Sequence, residues 1–221
     1  HVPLVFEKLK EFCSDNFLNP FHQFFHPQID GLIKRDFDLF VISVCNNSQL
    51  IPALTLSSML IDKRDSLRQQ QPDGNTKPKG LDRHIAIGGN YLSRIVDTIK
   101  AEAKFFTYFA DSLSFGEGEK PVVALANTLN GSRDYFASMQ KTNATLYIDQ
   151  TGSVVATEKE SSLNMNDAAF MDFSGFPLDR YHSPDIVACI RSSKGCYWGN
   201  CTFCDSYYGL NQDQMDIDRL V

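Results

Sequence analysis

The stretch "FDLFVISV", residues 37–44, is a continuous apolar run that carries several β-branched side chains. This composition over so short a length predicts a strand buried on both faces, as in a parallel sheet. The segment that follows, "NNSQLIPALTLSSMLIDK" (46–63), has apolar residues at helical spacing, with Asn47 or Ser48 placed to cap the helix. The two segments together predict a strand that leads into a helix.

The same alternation continues along the chain. "HIAIGG" (84–89) predicts a second buried strand that ends in a glycine pair, and "NYLSRIVDTIKAEAK" (90–104) predicts a helix. "DSLSFGEGE" (111–119) predicts a short strand and a glycine turn, before a helix over 120–130. "ATLYIDQTGSVVATEK" (144–159) predicts a β-hairpin. The pattern predicts an α/β fold of the Rossmann-like, flavodoxin type, with a mainly parallel sheet flanked by helices.

Composition shifts suggest how the chain is organised. Residues 66–80 are polar with Pro and Gly, which predicts a mobile loop. Residues 161–190 show no sustained period and read as a linker, which places an α/β domain at 1–160 and the start of a second domain at 191–221. The chain lacks an initial Met and stops as a helix begins. We therefore expect a piece of a longer protein, with an α/β domain that lacks its first strand.

Charge and composition narrow the function classes. The 221 residues are 43% hydrophobic and 22% charged, with a formal net charge of −6 and no dense run of Lys or Arg. This balance argues against a nucleic-acid partner. The longest apolar windows are too short to span a bilayer, and no signal peptide is visible, so we expect no membrane partner and a cytoplasmic location. Three of the six cysteines fall within nine residues, which favours a metal site over a disulfide framework.

The clustered cysteines, Cys196, Cys201 and Cys204, form a C-x4-C-x2-C pattern in "GCYWGNCTFC". Two thiolates separated by a tight turn reach one metal centre together, and three protein ligands leave one coordination position open. Three interpretations follow from the residues alone. They are an iron–sulfur cluster with one open iron, a structural zinc site completed by Cys189 or His182, and buried cysteines that hold no metal.

"GCYWGNCTFCDS", preceded by "FGEGE", resembles the radical S-adenosylmethionine (SAM) enzymes that carry an N-terminal cobalamin-binding domain. The resemblance implies that Cys196, Cys201 and Cys204 hold a [4Fe–4S] cluster, that SAM binds its fourth iron, and that Phe203 lies against the adenine. It implies reductive cleavage of SAM to a 5′-deoxyadenosyl radical, used for methyl transfer or rearrangement. The usual spacing is C-x3-C-x2-C, so this chain has one residue more, and Gly199 can absorb it.

The resemblance also implies partners and architecture. An external electron donor such as flavodoxin or ferredoxin would reduce the cluster, and the substrate would be a small molecule or a peptide. Residues 191–221 would begin a radical SAM partial TIM barrel. Other functions remain open: a corrinoid- or nucleotide-binding α/β module with a structural zinc site, or a non-catalytic piece that docks on a barrel.

Cobalamin is the third implied cofactor, after the cluster and SAM. "DRHIAIG" (82–88) begins like the cobalt-ligating motif D-x-H-x-x-G, but Ile87 replaces the glycine, so we interpret His84 as a strand residue. Family members also bind cobalamin without a histidine ligand. Ligands of parallel sheets lie at the carboxyl ends of the strands. The candidate cofactor-binding residues at these ends are Asn47, Ser48, Gln49, Gly88, Gly89, Asn90, Gly116, Glu117 and Gly118. The alternative is that the glycines only serve tight turns.

A second histidine pattern lies near the start of the chain. His22 and His26 are four residues apart in "FHQFFHPQ", which on a helix places both imidazoles on one face. No carboxylate motif accompanies them, and Pro27 follows directly. We interpret this pair as aromatic packing or surface exposure.

Overall fold

The computed structural model describes residues 6–35, 37–70, 83–131, 134–182, 185, 187, 189–198, 200–202 and 212–220. The chain divides into two compact units, one that ends at Ser161 and one that begins at Ser162.

The first unit alternates helices and strands. Its elements, in chain order, are α1 (Phe6–Ser14), α2 (Pro20–Lys34), β1 (Leu39–Ser43), α3 (Leu50–Gln69), β2 (His84–Gly88), α4 (Asn90–Arg94), α5 (Val96–Lys100), α6 (Lys104–Tyr108), β3 (Ser112–Ser114), α7 (Glu119–Gly131), α8 (Tyr135–Met139), β4 (Thr145–Ile148) and β5 (Val154–Ala156). A 3₁₀ turn, Asn47–Gln49, leads into α3.

The strands form one five-stranded sheet in the order β1-β2-β3-β4-β5. Strands β1, β2 and β3 pair in parallel, whereas β3 with β4 and β4 with β5 pair antiparallel. Helices flank the sheet, with side chains of α2 and α3 packed beside β2 in one cluster and those of α7 and α8 in another. The prediction of an α/β fold with helices around a largely parallel sheet is therefore confirmed, and the arrangement is compatible with a Rossmann-like fold.

Strand β1 departs from the prediction that it is buried on both faces. It lies at the edge of the sheet, and Val41 is 48% exposed. Every residue of β2, by contrast, is buried. An apolar run alone therefore did not distinguish an edge strand from a central one, because the difference depends on which elements cover each strand.

Two helix predictions also need correction. Helix α3 continues to Gln69, so the first residues of the predicted loop 66–80 are helical, and most of the remaining loop lies outside the described residues. The single helix predicted over 90–104 is instead three short helices, α4, α5 and α6. The predicted helix at 120–130 and the hairpin are confirmed, and the hairpin turns at Gly152 with φ +82°.

The second unit has little regular structure in the described residues. Two short strands, β6 (Ser193–Lys194) and β7 (Asp213–Gln214), pair antiparallel, and helix α9 spans Ile217–Leu220. Asp213 also accepts a hydrogen bond from the backbone N–H of Met165 at 2.7 Å. No radical SAM barrel is seen in this described part, so the barrel stays a prediction.

Candidate functional site

A cavity of about 390 Å³ lies where the three parallel strands reach their carboxyl ends. This is where α/β sheets bind their ligands, since the helix that follows a strand begins there. Strands β1, β2 and β3 and the start of α7 all contribute to its wall. The lining residues are Val41, Ile42, Ser43, Ala86, Ile87, Gly88, Gly89, Ser114, Gly118, Glu119 and Val122.

The glycine pair at the end of β2 is required by close backbone packing. Gly89 has φ +109°, and a Cβ there would lie 2.6 Å from the carbonyl oxygen of Val44. A Cβ on Gly88 would lie 2.9 Å from the carbonyl oxygen of Ser114. Both distances are shorter than real Cβ contacts, so these two glycines are explained by the fold itself. They let β2 end tightly between its neighbours at the floor of the cavity.

Gly118 is different. A Cβ at this position would meet no atom within 4 Å, and Gly118 has no left-handed φ. Neither packing nor backbone conformation therefore requires a glycine here. The missing side chain keeps open space at the wall of the cavity, beside the start of α7.

Ser114 is the polar group that stands out in the cavity. It is only 6% exposed, and its hydroxyl has no hydrogen-bond partner within the described chain. A buried hydroxyl without a partner costs about 1–3 kcal/mol. The other strand serine on the same face of β3, Ser112, does have a partner, since its hydroxyl lies 2.7 Å from His84 Nε2. The cavity thus carries an unused hydrogen-bonding group.

The remaining wall is largely uncharged. Among the described lining residues, Glu119 is the ionisable one, and it is the first residue of α7. The amino end of a helix attracts anions through its N–H groups, and a carboxylate at that position already satisfies this attraction. The electrostatics of the cavity therefore suit a neutral, partly apolar group better than a phosphate.

The sequence-predicted cofactor residues are only partly gathered at this cavity. Gly88, Gly89 and Gly118 line it. The predicted residues that are not among its described lining residues are Asn47, Ser48, Gln49, Asn90, Gly116 and Glu117. The first three form the exposed 3₁₀ turn, where the side chain of Gln49 accepts hydrogen bonds from the backbone N–H groups of Cys45 and Asn46 and so shapes the entry to α3.

Sequence reasoning missed Ser43, Ser114 and the apolar wall of the cavity. A signal for part of it existed, because Ser43 and Ser114 each stand one or two residues before the end of a predicted strand. The sequence held no signal that the hydroxyl of Ser114 lacks a partner, since this depends on contacts between separate strands.

The opposite end of β2 and β3 holds a buried charged cluster. The guanidinium of Arg64 donates to Asp111 at 2.5 Å, and Asp111 also accepts from the backbone N–H of Ile85 at 2.8 Å. Burial by itself would raise the pKa of Asp111, but His84 and Arg64 outweigh it and lower the pKa. His84 is fully buried in this cluster, at the end of β2 away from the cavity. Its position agrees with a structural role.

The cysteine segment, residues 195–212 between β6 and β7, belongs to the second unit. Cys196 and Cys201 are exposed, whereas Phe203 and Cys204 lie outside the described residues. Among the residues that are described, no group of three or more His, Cys, Asp or Glu is arranged to hold a metal. Strand β6 ends just before Cys196, and β7 begins at Asp213, with Lys194 directly opposite Asp213. The two ends of the cysteine segment are therefore held side by side.

Comparisons with protein-family models, with curated proteins and with solved structures find no match for this chain. In the described part of the chain, no helix has the length and apolar character needed to cross a membrane.

Proposed function

We propose that the chain belongs to a radical SAM enzyme whose α/β unit binds a cobalamin-type cofactor and whose cysteine segment holds a [4Fe–4S] cluster. The observation that carries the proposal is the cavity at the carboxyl ends of β1, β2 and β3, with the unpartnered hydroxyl of Ser114 in its wall. A cavity of this volume accommodates one ring-sized part of a large cofactor rather than the whole.

The electrostatics of the cavity favour an uncharged ring of a cofactor over a phosphate group. A phosphate at the amino end of α7 would lie beside Glu119, whose carboxylate would repel it. A neutral heterocycle would lie against Val41 and Val122 and would accept a hydrogen bond from Ser114. The space at Gly118 gives such a ring room at the wall.

The donor set of the second unit fits an iron–sulfur cluster. Cys196, Cys201 and Cys204 would supply three thiolates, and the fourth iron would bind SAM. When bound, the cluster would supply the electron that cleaves SAM. The chain's own contribution is to hold the ends of the cysteine segment together through the pairing of β6 with β7. Lys194 also fixes this strand to the start of the second unit, because its ammonium donates to Ser162 Oγ at 2.7 Å and to the carbonyl of Leu163.

Cobalamin binding is tested by titrating hydroxocobalamin into the apo protein and following the visible spectrum and retention on gel filtration. We expect a stoichiometric complex, and Gly118→Leu should abolish it by filling the cavity. Thr151→Leu, on the exposed hairpin turn, is the matched control and should bind as the wild type does. Absence of any spectral change or retention for the wild-type chain would remove the cobalamin part of the proposal.

The cluster is tested separately by anaerobic reconstitution with iron and sulfide. We expect about four irons and four sulfides per chain. Cys196→Ala, Cys201→Ala or Cys204→Ala should each abolish the cluster, while Cys13→Ala, Cys45→Ala and Cys189→Ala should retain it. Stoichiometric zinc held by four ligands, with Cys189 or His182 among them, would overturn the enzyme proposal in favour of a structural zinc site.

A further inference from the structure

Helix α2 carries two imidazoles that the cofactor proposal does not use. The rings of His22 and His26 have centroids 5.9 Å apart and planes inclined by 38°. The four-residue spacing continues the stripe of buried Ile29 and Ile33 toward the start of the helix. Near the start of the helix the stripe is less covered by the rest of the fold, so that His22 is partly buried and His26 is exposed.

The imidazole of His22 has an unused hydrogen-bonding atom. Within the described chain, its Nδ1 is buried and has no hydrogen-bond partner. A buried histidine that serves the fold usually donates or accepts at least one bond. No contact among the described residues therefore accounts for this nitrogen.

The backbone under the two histidines is firmly held. Asn19 is fully buried and caps α2 by accepting from the backbone N–H of Phe21 at 3.0 Å. Its amide also donates to Thr55 Oγ1 of α3 at 2.9 Å. The first turn of α2 is thus fixed to its neighbour, so the backbone that carries His22 is held before any ligand binds.

A carboxylate lies within electrostatic reach of each imidazole. The pKa of Asp15 is lowered by hydrogen bonds from the N–H groups of Leu18 and Phe17, with a further contribution from His22. The pKa of Asp30 is lowered first by Lys63, with which it pairs at 2.6 Å, and further by Lys34 and His26. Asp15 is therefore the carboxylate that would add to the attraction of a cation at the pair.

We propose that His22 and His26 form a two-point chelating site for a late first-row divalent metal ion, with water completing the coordination. Imidazole nitrogens suit Cu²⁺, Ni²⁺ and Zn²⁺, and Cu²⁺ binds such ligands most tightly. With metal–nitrogen distances of about 2.0–2.1 Å, two imidazoles on one ion place their centroids roughly 4.5–5 Å apart. To bind one ion, the rings observed at 5.9 Å would move closer together by rotation of the side chains.

The probe is Cu²⁺, added to the full chain after its accessible thiols are carbamidomethylated so that the cysteine segment does not compete. Calorimetry should show one tight site, and electron paramagnetic resonance should show two coupled nitrogens. His22→Ala and His26→Ala should each weaken binding about 100-fold, the lower end of the gain that linked ligands provide. Gln28→Ala, which removes an exposed side chain of the same helix, should leave the affinity unchanged.

A spacing control separates chelation from the mere number of histidines. His26→Ala/Gln28→His keeps two imidazoles on α2 but places them six residues apart, on different faces of the helix. This double variant should bind as weakly as His26→Ala alone. Wild-type affinity in the double variant, or in His22→Ala/His26→Ala, would overturn the site, as would a spectrum with a single coupled nitrogen.

Discussion

Ser114→Ala is expected to stabilise the apo protein and to weaken cofactor binding. The hydroxyl is buried and has no partner within the described chain, so the folded state bears a desolvation cost of about 1–3 kcal/mol. Alanine removes the hydroxyl and leaves the backbone of β3 unchanged. The free energy of unfolding should therefore rise by about 1 kcal/mol or more. Cobalamin affinity should fall by roughly 2- to 12-fold, which corresponds to one hydrogen bond of about 0.5–1.5 kcal/mol.

Ser112→Ala is the matched control, two residues away on the same strand. Its hydroxyl pairs with His84 Nε2 at 2.7 Å, and removal takes this hydrogen bond away from a buried imidazole. This variant should lower the free energy of unfolding by about 1–3 kcal/mol. Urea unfolding of the apo proteins at pH 7 measures both changes, and the cobalamin titration measures the affinity. The reasoning is refuted if Ser114→Ala destabilises the apo protein as Ser112→Ala does.

Two further predictions concern buried groups. Asp111→Asn should lower the free energy of unfolding at pH 7 by about 1.5–3 kcal/mol, because it removes the buried carboxylate that pairs with Arg64 and leaves this guanidinium with the partly exposed Asp65 at 3.0 Å and the carbonyl of Arg83. Because the pKa of Asp111 is lowered in the folded state, its carboxylate stabilises the fold above about pH 4. This stabilisation is lost as the pH falls through the folded-state pKa. Urea unfolding should therefore show that the stabilities of the wild type and Asp111→Asn converge in acid. Gly89→Ala should lower the free energy of unfolding by more than about 2 kcal/mol, because its Cβ would meet the backbone of Val44. Gly31→Ala, in open space within α2, should raise the free energy of unfolding by about 0.5–1 kcal/mol. Equal effects at the two glycines in thermal unfolding would contradict this.

Sequence patterns correctly predicted those helices and strands whose burial and ends agree with their own composition. Strand β2 is apolar and fully buried, and α7 begins beside a proline and ends at Gly131, as its sequence suggests. The hairpin follows from the glycine at 152, which has the positive φ that its turn requires. In these segments the residues that decide the structure are neighbours along the chain.

Other features depend on distant contacts and were not visible. Arg64 is of a residue type that is usually exposed, yet it is buried and pairs with Asp111, 47 residues away. Arg64 lies in α3 just before the segment predicted as a loop. Strand β1 was predicted to be buried on both faces, but an apolar run does not reveal the place of a strand in its sheet. For the candidate site, the glycine turns marked the correct end of the strands, but the apolar wall and Ser114 emerged only from the assembled sheet.

Strand β1 also bears on the association of chains in concentrated solution. In the described part of the chain it has a neighbouring strand on one side only, and its sequence "LFVIS" carries neither a charge nor a proline. Natural sheets commonly place charged residues or proline on their edge strands, which prevents the strands of separate chains from pairing. The net charge of −6 acts at long range and weakens as salt is added, whereas pairing at an exposed apolar strand does not. We therefore expect that association of chains at high protein concentration begins at these five residues of the sheet edge.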